Sequence, residues 1–566
     1  MTQKSWWIRY SLCLAGISLG HLAYSGYFTS LPSSTKDIPG DLVAWLQQDQ
    51  PDSKGLVWLN GYQNGNLILH REEFAKPRRP ALRRWSQETP WQTCELVELG
   101  MATKVERLGS QNPGLPERGL WGLWLACPKG YLCFSPSYFA QQPQDLQATY
   151  TQIQSTRGVL QTRKFQAQIW RTRPKKEMKS FSESQWLAQS RSDLRLDSDQ
   201  LTWSQLESST HLLAGYQLRQ LGLHHGLLPY RWTIAEEKSH ESGRILVRNC
   251  LGSWSLARYA KWTERSQDIE RVGQHLSTMA TRYAHWQGDQ VFIADNDTCY
   301  LGSQALFGLA LLYQPKLDNA LVRVELGLAK AIKNSLQAEG YFQTSVNLPG
   351  SPPSKPLKPE QDGNQDFFPG ETLTYLAQRG ELETFARALP YYQDRFRRLP
   401  HPAAVPWLTQ ACCVAYSKRA NPEWAQFAFQ CTDWILIELQ PFELMSADLR
   451  GSPINPGKQN IGPFSASSGA GVQLEGLVHA YDLASRLSDR PRQERYLKAI
   501  REVSRYLWQM QIREPEQLYW LESGKRGNSL GGIRDLPWDY RVQIDSTAHA
   551  LNAWVRLLEL HPGAWQ

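Results

Sequence analysis

The sequence has no CxxC, no CxxH and no HExxH, so neither a structural nor a catalytic zinc site has a recognisable ligand set. It has no nucleotide-binding loop. Gly469, Gly471 and Gly476 are wrongly spaced for one and follow no strand. It has no strong charge bias. A net +8 over 566 residues, with the basic residues not gathered into a recognition motif, argues against nucleic-acid binding. It also has no long uncharged apolar run of membrane-spanning length. No cofactor and no metal is implied.

The composition is that of a globular protein, 41% hydrophobic and 20% charged, and it is too long for one ordinary core. Aromatics are plentiful, with 23 Trp and 23 Tyr. Most belong in cores, but flat apolar rings also stack on sugars. The first thirty residues place Lys4 and Arg9 before "SLCLAGISLGHLAYSGYF". Positive charge before an apolar stretch reads as a secretory signal or a single membrane anchor, with Ala23-Tyr24-Ser25 as a small-x-small cleavage site. The expected compartment is therefore extracytoplasmic, periplasm or cell envelope, with the N-terminal segment as the contact to the membrane. Of the nine cysteines, Cys13 lies in this leader, and Cys127 with Cys133 is the closest plausible disulfide loop.

Four regions follow: a signal or anchor over 1–29, a linker over 30–55, an α+β or β-rich domain over 56–190, and a helical domain over 200–562. The second domain is read from short β-branched and aromatic runs broken by Gly, Pro and Asn, such as "GLVWLNGYQNGNLILHREEF". It carries two basic clusters, one at 76–84 and one at 163–179 that includes Arg171.

In the helical region the spacing predicts twelve helices: 202–222, 251–262, 269–285, 301–314, 317–338, 370–379, 382–397, 405–419, 422–439, 468–487, 491–512 and 543–560. They alternate. "ERYLKAIREVSRYLWQMQ" is amphipathic, whereas "LGSQALFGLALLY" and "SGAGVQLEGLVHAYDLA" are apolar all round. A helix apolar on every side is buried on every side. The alternation therefore predicts six hairpins closed into a ring, an (α/α)6 toroid with the apolar helices inside.

Each inner helix is preceded by a polar, aromatic-rich loop: 244–250, 292–302, 362–372, 398–407, 460–471 and 534–545. In a ring these loops open on one end. The residues expected there are Arg248, Asp295, Asp297, Asp366, Glu371, His401, Trp407, Glu475, Tyr540, Arg541, Asp545 and His549. For several of them a simpler reading competes. Asp545 and Asp297 could be helix caps, Glu371 could complement a helix dipole, and His549 could be a satisfied core histidine. Glu475 differs, because it lies more than a turn inside an apolar helix, where an unpartnered ionised acid is expensive.

The alternation resembles the (α/α)6 toroids of six-hairpin glycosidases, uronyl epimerases and related polysaccharide enzymes. "FFPGETLTYLAQRGELETF", "GAGVQLEGLVHAYDLA" and "RVQIDSTAHALNAWVRL" look like inner-helix segments of that superfamily. Terpene cyclases of similar shape use DxDD or DDxxD, and neither occurs. Two functions are expected from this. The first is a glycan-processing enzyme, a glycoside hydrolase or a uronate epimerase or lyase, acting on a neutral or acidic polysaccharide. Glu371, Glu475 and Asp545 would be its acid/base set, His549 would share a proton with Asp545, and Arg248 and Arg541 would hold an anionic substituent. Asp295, Asp297, Asp366, Trp407 and Tyr540 would complete the substrate lining. The second is a non-catalytic envelope protein that binds a polysaccharide or a protein partner.

Overall fold

Alternation within the first strand sets the layers of the N-terminal unit. Val57 and Leu59 pack with Leu82, Trp85, Trp91, Val97, Leu99 and Met101 on one face, while Leu56 and Trp58 pack with Ala102, Trp124 and Ile169 on the other. The structure is a computed structural model. It describes residues 54–107 apart from 65 and 89, strands and single positions between 121 and 194, 201–560 apart from 241–244, 296, 349–357, 439–449, 454–466 and 537–538, and residue 565. The leader over 1–29 and the linker as far as residue 53 lie outside the described residues. No helix among the described residues is long and apolar enough to cross a membrane.

The chain divides into two compact units. The first is an antiparallel sheet of β1 (Lys54–Gln63), β2 (Asn66–Pro77), β3 (Leu96–Arg107), β4 (Trp121–Cys127), β5 (Gly130–Phe134), β6 (Gln161–Thr172), β7 (Leu187–Ser190) and β8 (Asp193–Leu194). Its order is β2-β1-β3-β6-β4-β5, with β7 on β6 and β8 on β7. Helix α1 (Arg78–Glu88) supplies Leu82 and Trp85 to one face. The unit also includes residues 514–527 and 539–540 from far along the chain. Tyr519, from that distant stretch, donates to Glu98 Oε2 (3.3 Å) and lies under the Arg171 guanidinium, 4.6 Å from ring centroid to carbon. Arg171 in turn donates to Glu98 through Nε (3.3 Å) and Nη2 (3.1 Å). Arg171 is therefore a buried, paired cation and not part of a solvated basic cluster. Residues 173–179 of that cluster, and the side chains of Arg163, Lys164, Cys127 and Cys133, lie outside the described residues. The described cysteines, Cys94, Cys250, Cys299, Cys412, Cys413 and Cys431, are buried free thiols.

Among the described residues the second unit has twelve helices: α2 (Trp203–Leu223), α3 (Ile245–Thr263), α4 (Ser266–Tyr283), α5 (Leu301–Tyr313), α6 (Asn319–Asn334), α7 (Phe368–Arg379), α8 (Leu382–Arg398), α9 (Ala404–Lys418), α10 (Pro422–Glu438), α11 (Ser467–Arg486), α12 (Arg490–Met510) and α13 (Ile544–Leu560). The odd-numbered helices from α3 to α13 touch in sequence, and α13 returns to α3, which closes a ring of six. The even-numbered helices lie outside it. The mainly helical (α/α)6 toroid read from the alternation is the architecture observed.

Local chemistry fixes the ends of the outer helices. Thr202 and Gln205 form a reciprocal capping box at the start of α2, and the Asp318 carboxylate accepts from the Leu321 amide (2.8 Å) at the start of α6. Inside the ring, small residues set the helix spacing. A Cβ at Gly302 of α5 would come within 2.4 Å of Phe368 and 2.5 Å of Glu371 Oε2. One at Gly471 of α11 would come within 2.7 Å of His549 Cβ. Close approach at these two positions brings the functional side chains of α7 and α13 against their neighbours.

Two short sheets lie before the inner helices. One is β10 (Lys238–His240), β9 (Arg231–Thr233), β16 (Asp539–Gln543) and β15 (Arg534–Leu536). The other is β11 (Ala284–Gln287), β12 (Gln290–Asp295), β13 (Thr298–Tyr300) and β14 (Ser345–Asn347). Segments read as loops from the sequence are thus partly strand.

Candidate functional site

The first turns of the inner helices bring together a set of buried polar side chains. Glu371 lies in the first turn of α7, Glu475 in the third turn of α11, and Asp545 and His549 in the first two turns of α13. All four are buried, at 6%, 1%, 4% and 7% exposure.

Asp545 does not cap its helix. One oxygen pairs with the Arg248 guanidinium at the start of α3, and Oδ1 has no partner. Glu475 accepts from Gln410 Nε2 of α9 at Oε2 (3.0 Å), and His549 Nδ1 lies 3.2 Å from its Oε1. The pairing expected from sequence is therefore corrected: His549 meets Glu475 on the neighbouring inner helix and not Asp545 on its own helix face. Arg248 pairs with Asp545 through Nη1, and its side chain keeps 39% exposure.

Glu371 has no partner at Oε2. Burial pushes its carboxyl up to about 8. The positive charge of Arg248 partly offsets this, and the negative charge of Glu475 adds to it. Glu371, Arg248 and Glu475 thus lie within electrostatic reach of one another. At neutral pH Glu371 keeps its proton, while Glu475 accepts from Gln410 at one oxygen and faces His549 Nδ1 at the other. Trp407 of α9 is buried and sets its ring edge-on to His549 at 5.7 Å and 6.0 Å from Trp254.

The other expected residues fall elsewhere. Asp295 and Asp297 are exposed at the turn between β12 and β13. Asp366 pairs with Arg395 of α8 (2.8 Å), and with His401 lines a cleft beside the starts of α7 and α9. Tyr540 belongs to the first unit, where its ring packs edge-on to Trp520 (5.5 Å). Arg541 is half-buried in β16, opposite Thr233.

Several residues of the set were not anticipated. Ser303 and Gln304 of α5, Gln410 of α9 and Gln473 of α11 are buried on the inner helices, and Ser303 Oγ and the three amide oxygens have no partner. Their signal in the sequence is that of Glu475, a polar side chain inside an apolar helix, where burial is unfavourable unless something is bound to it. No group of three or more His, Cys, Asp or Glu among the described residues is arranged to hold a metal.

No protein-family model matches the chain, and no curated protein matches it. Solved structures do. The chain is similar to the unsaturated glucuronyl hydrolase of Bacillus sp. GL1, at 15% identity over 63% of this chain and 97% of that one, with a TM-score of 0.43. It is similar to an unsaturated glucuronyl hydrolase specific for heparin, at 12% identity over 63% and 98%, with a TM-score of 0.42. A family 76 glycoside hydrolase from a bovine Bacteroides thetaiotaomicron strain matches at 10% identity over 84% and 98%, also with 0.42. The toroid itself stands on this chain's own helix contacts.

Proposed function

We propose that the protein is a glycoside hydrolase acting outside the cytoplasm, with Glu371 as general acid and Glu475 as the ionised partner. The observation that carries the reading is the unequal treatment of two buried carboxyls on inner helices. Glu371 is unpartnered at one oxygen and holds its proton to about 8, while Glu475 accepts from Gln410 at one oxygen and faces His549 Nδ1 at the other. Glycoside hydrolysis needs such a pair, one acid to protonate the leaving oxygen and one carboxylate on the other side of the bond.

In this reading the Glu371 proton passes to the glycosidic oxygen as the bond to the anomeric carbon breaks. Glu475 either takes a proton from the attacking water or itself attacks that carbon and is released by water. The anomeric configuration of the first product distinguishes the two. Gln410 and His549 orient Glu475, and Asp545 offers Oδ1 to a substrate hydroxyl while its other oxygen stays on Arg248. The export of the protein is supported by the basic and then apolar leader, through which it would meet the membrane.

The test is incubation of the exported protein with a panel of neutral and acidic polysaccharides, following both new reducing ends and unsaturated products. New reducing ends that disappear in Glu371→Gln and Glu475→Gln support hydrolysis. Unsaturated products would assign elimination instead. Binding without any product would assign the non-catalytic envelope role.

A further inference from the structure

Within the first two turns of the inner helices the buried polar atoms left without partners are all oxygens, whereas farther along them nitrogens of Trp254, Arg258, Asn552, Trp554 and Arg556 are unpartnered too. Gln304 Oε1, Gln410 Oε1, Gln473 Oε1 and Asp545 Oδ1 are acceptors, while Ser303 Oγ and the protonated Glu371 can donate or accept. The orientation of Gln410 is fixed independently, because its Nε2 is committed to Glu475. A lining of acceptors is satisfied by a ligand that brings donors.

The charges at this lining point the same way. Arg248 already shares its charge with Asp545 through Nη1, and the His549 ring is set against Glu475. A ligand carboxylate entering here would face Glu475 and Asp545. It would also set acceptor against acceptor. Like charges brought together in a desolvated site cost several-fold to many-fold in affinity.

We propose that this site takes a sugar residue without negative charge, a neutral or amino sugar whose hydroxyl or ammonium hydrogens meet these oxygens, and that it turns away uronates and sulfated sugars. The inference rests on the hydrolase reading for its location but concerns recognition. It also sets aside uronate epimerisation and uronate β-elimination, which act on the carbon beside a carboxylate.

The test uses the full chain and calorimetric binding of three oligosaccharides of equal length: one neutral, one of amino sugars and one of uronates. Glu371→Gln is assayed alongside for turnover. The neutral or amino oligosaccharide is expected to bind at least tenfold more tightly than the uronate. Asp545→Asn is then expected to raise uronate affinity about tenfold by releasing the Arg248 guanidinium. Uronate binding equal to or tighter than both others overturns the inference, as does failure of both non-anionic ligands to bind. Should Asp545→Asn not fold, the wild-type order of affinities alone decides. Loss of turnover in Glu371→Gln with uronate preferred keeps the hydrolase and removes the inference. Preference for the uncharged ligand with full turnover in Glu371→Gln does the opposite.

Discussion

The two ends of the inner ring treat acidic side chains in opposite ways, buried and open where the helices start, exposed or half-buried and paired where they stop. At the end where the inner helices stop, each carboxylate is shared between two guanidinium groups. Glu559 meets Arg258 (3.3 Å) and Arg556 (3.1 Å), and Asp482 meets Arg556 (2.8 Å) and Arg486 (3.0 Å). These contacts tie α3, α13 and α11 together. At the end where the helices start, Glu371 and Asp545 each keep an oxygen without a partner, and amide oxygens from α5, α9 and α11 do the same. A chain able to satisfy carboxylates at one end leaves them open at the other. Buried polar atoms that carry only structural work are paired, so the open end is organised for something that arrives later.

The largest expected effect breaks the open end. Glu371→Gln should lower kcat on a confirmed substrate by about 10²–10⁴ and leave the fold intact. In the wild type the alkaline limb of the rate profile should fall near pH 8, where Glu371 loses its proton. Retained activity above pH 10 would assign the acid elsewhere.

At the paired end the same kind of change should act on stability instead. Burial raises the Glu559 carboxyl, but the Arg258 and Arg556 charges outweigh it and hold it below its ordinary value. Its contribution is therefore complete above the unfolded carboxylate range and is lost as pH falls through the folded value. Glu559→Gln should cost about 1–3 kcal/mol in denaturant unfolding at pH 7 and leave kcat unchanged. A fall in kcat without loss of stability would reverse the assignment of the two ends.

Gln410→Leu sharpens the contrast. It removes one donor from Glu475, so kcat should drop about tenfold with a smaller change in melting temperature. A melting shift with kcat unchanged would make Gln410 a packing residue.

The smallest effect is a difference in sign. His275, donating Nδ1–H to the Gly226 carbonyl and taking Ser253 at Nε2 (2.7 Å), is pushed down to about 4 by burial. Its folded form binds fewer protons, so it costs stability as pH falls from about 6.5 to about 4. Glu371 is the reverse. Its folded form holds a proton that the unfolded chain releases, so stability falls as pH rises from about 4.5 to about 8. Glu371→Gln should flatten only the upper window and His275→Asn only the lower, each read by chemical unfolding across pH.

How far the sequence could be read follows the range of the interactions. The helices were legible because each reports its own burial. Leu301 to Leu311 is buried at every residue, and the periodicity of α8 tracks its single apolar face of Phe385, Ala388, Leu389, Tyr392 and Phe396. The start of α3 was misplaced at 251. Arg248 and Asn249 look like loop residues, and only the structure supplies Asp545 for the one and the Leu228 amide (2.9 Å) for the other. Glu475 stood out because its neighbours are apolar, yet its partners are 65 and 74 positions away, and no local pattern encodes them. Acidic loop residues such as Asp295 and Asp297 were over-read: proximity to a helix start does not bring a side chain into the ring.

The first unit's use of residues 514–527 has a consequence for synthesis. Glu98 and Arg171 emerge early from the ribosome, but the hydroxyl that joins them belongs to Tyr519, 421 positions after Glu98. Through most of translation that sheet carries its buried charges without the third member, and nearly the whole toroid is made before it arrives. The N-terminal unit precedes the toroid in the chain and is among the last parts of the molecule to be finished.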